Sequence, residues 1–262
     1  MKLQVLLSAM HLEDETYIDS LNITSDAVVV NQCDRECERD IVRELKDGHT
    51  QAVRYIETRE RGLSKSRNMA IRNCDADICI LCDNDVEYVQ GYDRLIIDAF
   101  ETHPDADLIV FYIKRPEKPA PNYPTERRMD YLSVLKIFSP EIAMRRESIK
   151  NIAFNEEFGA GAKYRMGEEN IFLYDCLKAG KKIIYMPIMI AQLRKEESTW
   201  FAGYDEEFFY CRGANYAAMS KTFSIVLIMQ FALRKTALYK DKVSMRTAIS
   251  QMLKGRREYS QS

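Results

Sequence analysis

The sequence predicts an α/β protein with a mostly parallel central sheet, and two stretches carry that prediction. Residues 78–86 read Ile-Cys-Ile-Leu-Cys-Asp-Asn-Asp-Val, an apolar run that halts at two carboxylates separated by one Asn. Rich in branched side chains and entered through Asp75-Ala76-Asp77, the run suits a strand buried on both faces. Residues 3–9 and 27–31 are two further strand candidates, and Tyr17, Ile18 and Leu21 between them have helical spacing, which makes a βαβ opening. Ligand sites in such sheets lie off the carboxyl ends of the strands, where Asp83 and Asp85 fall.

Residues two apart in an extended chain project to one side, so Asp83 and Asp85 could offer hard oxygens to one divalent cation, Mg²⁺ or Mn²⁺. The same tripeptide also serves as a polar turn that closes a strand.

The remaining elements follow in chain order. Asn31-Gln32-Cys33-Asp34 is a second polar cluster at a strand end; it suits ligand contact or, equally, a helix capped by Asp34 over residues 35–45. A strand over 53–58 leads into Arg59-Glu60-Arg61-Gly62, where Gly62 permits a tight turn and Ser64 reads as the N-cap of a helix reaching Asn73. Lys65 and Arg67 in that first turn oppose the helix dipole, which calls for an anion nearby, either a diphosphate or a carboxylate such as Asp83 or Asp85. A helix over 91–102 and a strand over 108–113 come next. Residues 114–130 gather Pro116, Pro119, Pro121 and Pro124 among several basic residues and read as a long functional loop. A short strand over 139–145 and a glycine-containing loop over 154–164 precede a helix opened by Gly167-Glu168-Glu169 and closed at Gly180. The strand over 182–186 is expected to stop at Pro187.

Beyond residue 205 the pattern is helical. Residues 222–233 are apolar almost all round, which fits a buried helix or one lying in a lipid interface; at about a dozen residues the run is short of the ~20 needed to span a bilayer.

Composition bounds these readings. With 262 residues, 46% hydrophobic and 30% charged, the chain can bury a full-sized core and is ordinary for a soluble globular protein. The lone Lys2 and the short apolar run passing into His11-Leu12-Glu13-Asp14-Glu15 lack a signal-peptide layout. Seven scattered cysteines, an odd number, suggest reduced thiols, hence a cytoplasmic protein. Cys79 and Cys82 have CxxC spacing but, three apart on a strand, face opposite sides, which argues against a shared zinc or redox role. The net charge of −2 conceals a basic stretch, residues 234–257, with eight Lys and Arg against one Asp. An acidic body with a basic tail points to an anionic surface as partner, membrane ahead of nucleic acid.

Together these residues resemble family-2 glycosyltransferases of the GT-A fold, which move sugars from nucleotide diphosphates. Asp83-Asn84-Asp85 is DXD-like, Gly62-Leu63-Ser64-Lys65-Ser66-Arg67-Asn68 is similar to the family's Gly-x-Ser-x-x-Arg-Asn, and Gly167-Glu168-Glu169 is similar to its Gly-Glu-Asp, in the right order over residues 1–190. The chain departs from the family at Ser8-Ala9-Met10-His11, where Pro-Thr-Tyr-Asn is common, and at Asn31-Gln32-Cys33-Asp34, where paired Asp is common.

The resemblance implies a Rossmann-like GT-A domain over residues 1–200, with a nucleotide-sugar half (1–113) and an acceptor half (114–200), followed by a helical extension over 201–262. It implies donor contacts from Ser8, Gln32, Arg61, Gly62, Ser64 and Arg67, joined by Asp83 and Asn84. A Mn²⁺ or Mg²⁺ ion would sit at Asp83 and Asp85, and Glu169 would be the general base with Glu168 in support. The implied reaction is an inverting transfer from a UDP-linked sugar to a glycan or lipid-linked acceptor, in cell-surface polysaccharide synthesis at the inner face of the plasma membrane. A sugar nucleotidyltransferase shares the layout but usually has a Gly-rich phosphate loop after the first strand, absent from residues 8–15. A non-catalytic, membrane-docked scaffold on the same fold is the other alternative, against which the three retained acidic motif positions argue.

Overall fold

A computed structural model describes residues 1–45, 48–116, 118–194 and 203–261. Its strands are β1 (Leu3–Met10), β2 (Asp26–Gln32), β3 (Cys37–Glu44), β4 (Thr50–Thr58), β5 (Ile78–Asp83), β6 (Val86–Tyr88), β7 (Leu108–Lys114), β8 (Arg127–Arg128), β9 (Ile142–Arg145) and β10 (Ile183–Leu193). The helices are α1 (Tyr17–Ser20), α2 (Leu63–Arg72), α3 (Tyr92–Thr102), α4 (Arg146–Ile149), α5 (Glu168–Lys178), α6 (Glu206–Met219), α7 (Ser224–Arg234), α8 (Thr236–Tyr239) and α9 (Met245–Gln261). One sheet of ten strands runs β3-β4-β2-β1-β5-β9-β7-β10-β6, with β8 also on β10.

The neighbours β4, β2, β1 and β5 pair parallel, as do β7 and β10. Strand β9 lies antiparallel between β5 and β7. Side chains alternate along each strand into two apolar clusters, which is why these strands read as unbroken apolar runs: Leu6, Val28 and Leu81 enter one, Val5, Val29 and Ile80 the other. Cys79 and Cys82 fall in opposite clusters, as their spacing requires.

Four local expectations need correction. Asp34 does not cap a helix: residues 37–44 form β3, antiparallel to β4 at the sheet's edge. Its charged residues cover that edge, where pairing with β4 outweighs helix propensity. The N-cap of α2 is Gly62 rather than Ser64, whose Oγ instead donates to the Phe158 carbonyl at 2.6 Å. Pro187 does not end β10; the strand passes through it, with its register to β7 shifting between Tyr185 and Met189. Such irregularities are where a sheet tolerates a residue without an N–H. Finally, β5 ends at Asp83, and Asn84 and Asp85 form the turn into β6, so the extended spacing assumed for the two acids does not hold.

The C-terminal helices pack onto this frame. Helices α6 and α9 cross at glycines: a Cβ on Gly213 would lie 1.9 Å from the Met252 carbonyl oxygen, and one on Gly255 2.0 Å from that of Tyr210. Helix α6 is also tied to the start of α5, where Asn215 Nδ2 donates to the Gly167 carbonyl at 2.8 Å. Gly167 sits at φ +84, and a Cβ there would meet Asn215 Nδ2 at 2.3 Å. The Gly of Gly-Glu-Glu is therefore required both by its left-handed backbone and by the approach of α6.

Candidate active site

A pocket of roughly 170 Å³ opens where the carboxyl end of β5 meets the first turns of α2 and α5. Arg67, Asp83, Glu168 and Glu169 line it, so acids 16 and 101 positions from Arg67 in the chain converge on it.

At its centre is Arg67, 1% exposed. Its Nη1 donates to Glu168 Oε1 at 2.7 Å, its Nη2 to Asp83 Oδ1 at 2.9 Å, and its guanidinium carbon lies 5.6 Å from the centre of the Phe154 ring. Burial alone would lower its pKa, but the charges of Asp83 and Glu168 outweigh that and raise it. The cation that opposed the dipole of α2 is thus held by carboxylates. Lys65, the other, pairs with Glu60 at 3.1 Å.

Glu169 is half-buried beside this arrangement. Burial first, and then the neighbouring Glu168, push its pKa up to about 8, against the lowering influence of Arg67 and Arg212. A helix N-terminus favours the ionised form of an acid, but here desolvation and the like charge win.

The other sequence-predicted residues, Ser8, Gln32, Arg61, Gly62, Ser64, Asn84 and Asp85, do not line this pocket and have partners inside the protein. Ser8 Oγ, near the end of β1, accepts from Ser66 Oγ at 2.9 Å, and Gln32 Oε1, at the end of β2, accepts from the Gly62 N–H at 2.8 Å. Arg61 donates to the Cys33 and Thr58 carbonyls at 3.0 and 3.1 Å and pairs with Asp34 at 2.7 Å. Gly62, at φ +123, lets the chain turn into α2. The Asn84 carbonyl accepts from the Tyr17 hydroxyl at 2.9 Å, and the Asp85 carbonyl from the Arg194 N–H at 2.9 Å. Asn68 completes the latch of α2, bonding both the N–H and the carbonyl of Phe154.

Sequence reasoning missed two pocket residues, Arg165 and Arg212. Arg165 stands just before Gly167 and could have been suspected from that position. Arg212 lies on α6, far along the chain, and nothing local marks it.

A mostly parallel sheet with carboxylates at its carboxyl edge, latched α2 and a glutamate-opened α5 defines the GT-A class of fold. The glycosyl transferase family 2 model matches residues 21–171, more than half of the chain, which therefore belongs to that family. Among solved structures, the chain is similar to S. aureus TarS 1–349 in complex with UDP-GlcNAc, with TM-score 0.66 and 16% identity over 100% of this chain and 81% of that one. It is also similar to the mannosyltransferase PcManGT from Pyrobaculum calidifontis in complex with GDP-Man and Mn²⁺, with TM-score 0.54 and 11% identity over 100% of this chain and 75% of that one. At such identities the likeness concerns the fold. No curated protein matches the chain in sequence.

Proposed function

We propose that this glycosyltransferase is metal-assisted and inverting, and moves a sugar from a UDP-linked donor to a hydroxyl of a glycan or lipid-linked acceptor in bacterial cell-surface polysaccharide synthesis. The observation that carries the reading is that a donor-side acid, Asp83, and an acceptor-side acid, Glu169, line one pocket with Arg67 fixed between their elements. Asp83 and Glu168 are engaged by Arg67, which leaves Glu169 to take the proton of the attacking hydroxyl in a single displacement. Arg67, by holding Glu168, keeps the start of α5 against the end of β5, and so keeps the base at the sugar's reacting carbon.

The donor chemistry at the end of β5 suits a hard cation: the half-buried carboxylates of Asp83 and Asp85 are the residues that would hold Mn²⁺ or Mg²⁺. Bound there, the ion would offset the charge building on the leaving diphosphate. No group of three His, Cys, Asp or Glu suited to a metal occurs among the described residues, so donor phosphates would have to complete the coordination shell. Titration calorimetry with UDP is therefore expected to give an affinity on the order of tenfold higher in Mn²⁺ than in EDTA, a difference of about 1.4 kcal/mol. Asp85→Asn should abolish the difference; equal affinity in both buffers for the unaltered protein would sink the metal assignment.

Membrane docking is supported by the outer face of α7. Ser224, Leu227, Ile228 and Ala232 are buried, while Phe223, Ile225, Val226, Met229 and Leu233 are exposed, so the helix is apolar on its solvent side as well. Phe223 and Val226 continue into a groove with Tyr131, Leu132 and Lys178, and exposed Lys221, Arg234, Lys235 and Lys240 flank α7 in the chain. That charge suits an anionic lipid surface at the inner face of the plasma membrane. Among the described residues no helix is long and apolar enough to cross a membrane. The protein should co-sediment with vesicles containing phosphatidylglycerol and be released by salt, because screening acts over ~10 Å at 0.1 M. Val226→Glu combined with Leu233→Glu should abolish binding; indifference of the unaltered protein to such vesicles would remove the proposal.

A further inference from the structure

The geometry points to an oxyanion subsite at Arg212, which we infer receives a phosphate or carboxylate carried by the acceptor close to its attacking hydroxyl. The inference rests on the glycosyltransferase reading and deepens it.

Among the described residues three cations line the pocket, and two are committed. Arg67 is held by Asp83 and Glu168, and Arg165 Nε pairs with Glu207 at 3.0 Å. Arg212 forms no ion pair with any described residue, and its Nε is buried without a hydrogen-bond partner among them. It is held in place by aromatic rings instead, its guanidinium carbon 5.3 Å from the ring centre of Phe208, 5.6 Å from that of Phe231 and 5.9 Å from that of Tyr216. Aromatic faces position a guanidinium without neutralising it. Half-burying a cation that no described carboxylate hydrogen-bonds, with Glu169 acting on it only through space, is costly, and an arriving oxyanion would recover that cost with charge-assisted hydrogen bonds.

The position assigns the anion to the acceptor. Arg212 comes from α6, which is fixed to the start of α5 by Asn215 and Gly167, and it shares the pocket with Glu169 and Ser139. Helix α5 and Ser139 lie in the acceptor half, and α6 of the helical extension brings Arg212 against them, beside the residue proposed to deprotonate the acceptor. A hydroxyl at Glu169 and an oxyanion at Arg212 can then belong to one molecule, a phosphorylated or acidic glycan unit. A neutral acceptor would bring Arg212 no oxyanion.

Calorimetry with inorganic phosphate and, separately, acetate on the full chain saturated with UDP and Mg²⁺ tests the subsite and distinguishes the two anions. Phosphate or acetate should bind the unaltered protein, bind Arg212→Gln at least about tenfold more weakly, and bind Arg212→Lys with intermediate affinity, while UDP affinity stays the same in all three. Arg212→Lys also serves if the Gln variant proves poorly folded, since it keeps a cation among the rings but not its planar fork. Equal anion binding by the unaltered protein and both variants, or none by the unaltered protein, overturns the inference. So does a loss of UDP affinity in Arg212→Gln matching the loss of phosphate affinity, because the anion held there would be the donor's. Should the protein fail to bind UDP yet bind phosphate through Arg212, the donor reading fails and the oxyanion subsite stands.

Discussion

Glu169→Gln is expected to lower sugar transfer by roughly 10²-fold or more while leaving UDP binding in place. The amide keeps the shape of the side chain and removes its basicity, and positioned proton transfer is typically worth that much. Because a base acts only when ionised, and burial and Glu168 push the Glu169 pKa up to about 8, kcat/KM should climb with pH and level off above about 8. The Gln variant's residual rate should lack that rise. The same shift has a consequence for stability. An unfolded Glu ionises near 4.5 whereas Glu169 keeps its proton to about 8, so the folded protein binds more protons between those values. Its contribution to stability is complete below 4.5 and is lost as pH rises through 8. Rate-against-pH profiles and urea melts across this window check both statements. A Gln variant with near-normal transfer would move the base elsewhere, and Glu168→Gln would identify or exclude its neighbour.

Arg67→Ala should destabilise the protein by about 3–5 kcal/mol, the usual result of removing one member of a buried ion pair and leaving its partners uncompensated. Here both Asp83, half-buried, and Glu168, 6% exposed, lose the cation between them. The Asn68 and Ser64 latches onto the 154–164 loop would then carry α2 without the central tie. Arg67→Lys should recover only part of the loss, since an ammonium cannot present the planar fork that reaches Glu168 Oε1 and Asp83 Oδ1 from separate nitrogens. Denaturant unfolding measures this directly. An Arg67→Ala protein of normal stability that fails to bind UDP would make Arg67 a ligand contact rather than the structural bridge between α5 and β5.

The sequence by itself determined the central strands and the order of the motifs. The 78–82 run is apolar at every position because both faces of β5 are covered, and that pattern needs no tertiary knowledge to read. Gly62 and Gly167 were likewise visible, since a backbone turn that only glycine adopts readily leaves its mark locally. Strand β3 was misread because its charged residues give no apolar period; an edge strand is fixed by the hydrogen bonds its neighbour β4 offers. Asp83 and Asp85 looked equivalent along the chain, and the end of β5 between them separated one acid on the strand from one in the turn. The partners of Arg67 could be narrowed to an anion but not chosen, because the choice depends on where α5 lands against β5. Arg212 carried no signal at all. Its place beside Glu169 follows from the packing of α6 on α5 and α9, set by Gly213, Gly255 and Asn215 across long sequence separations, and such contacts exist only once the chain has folded.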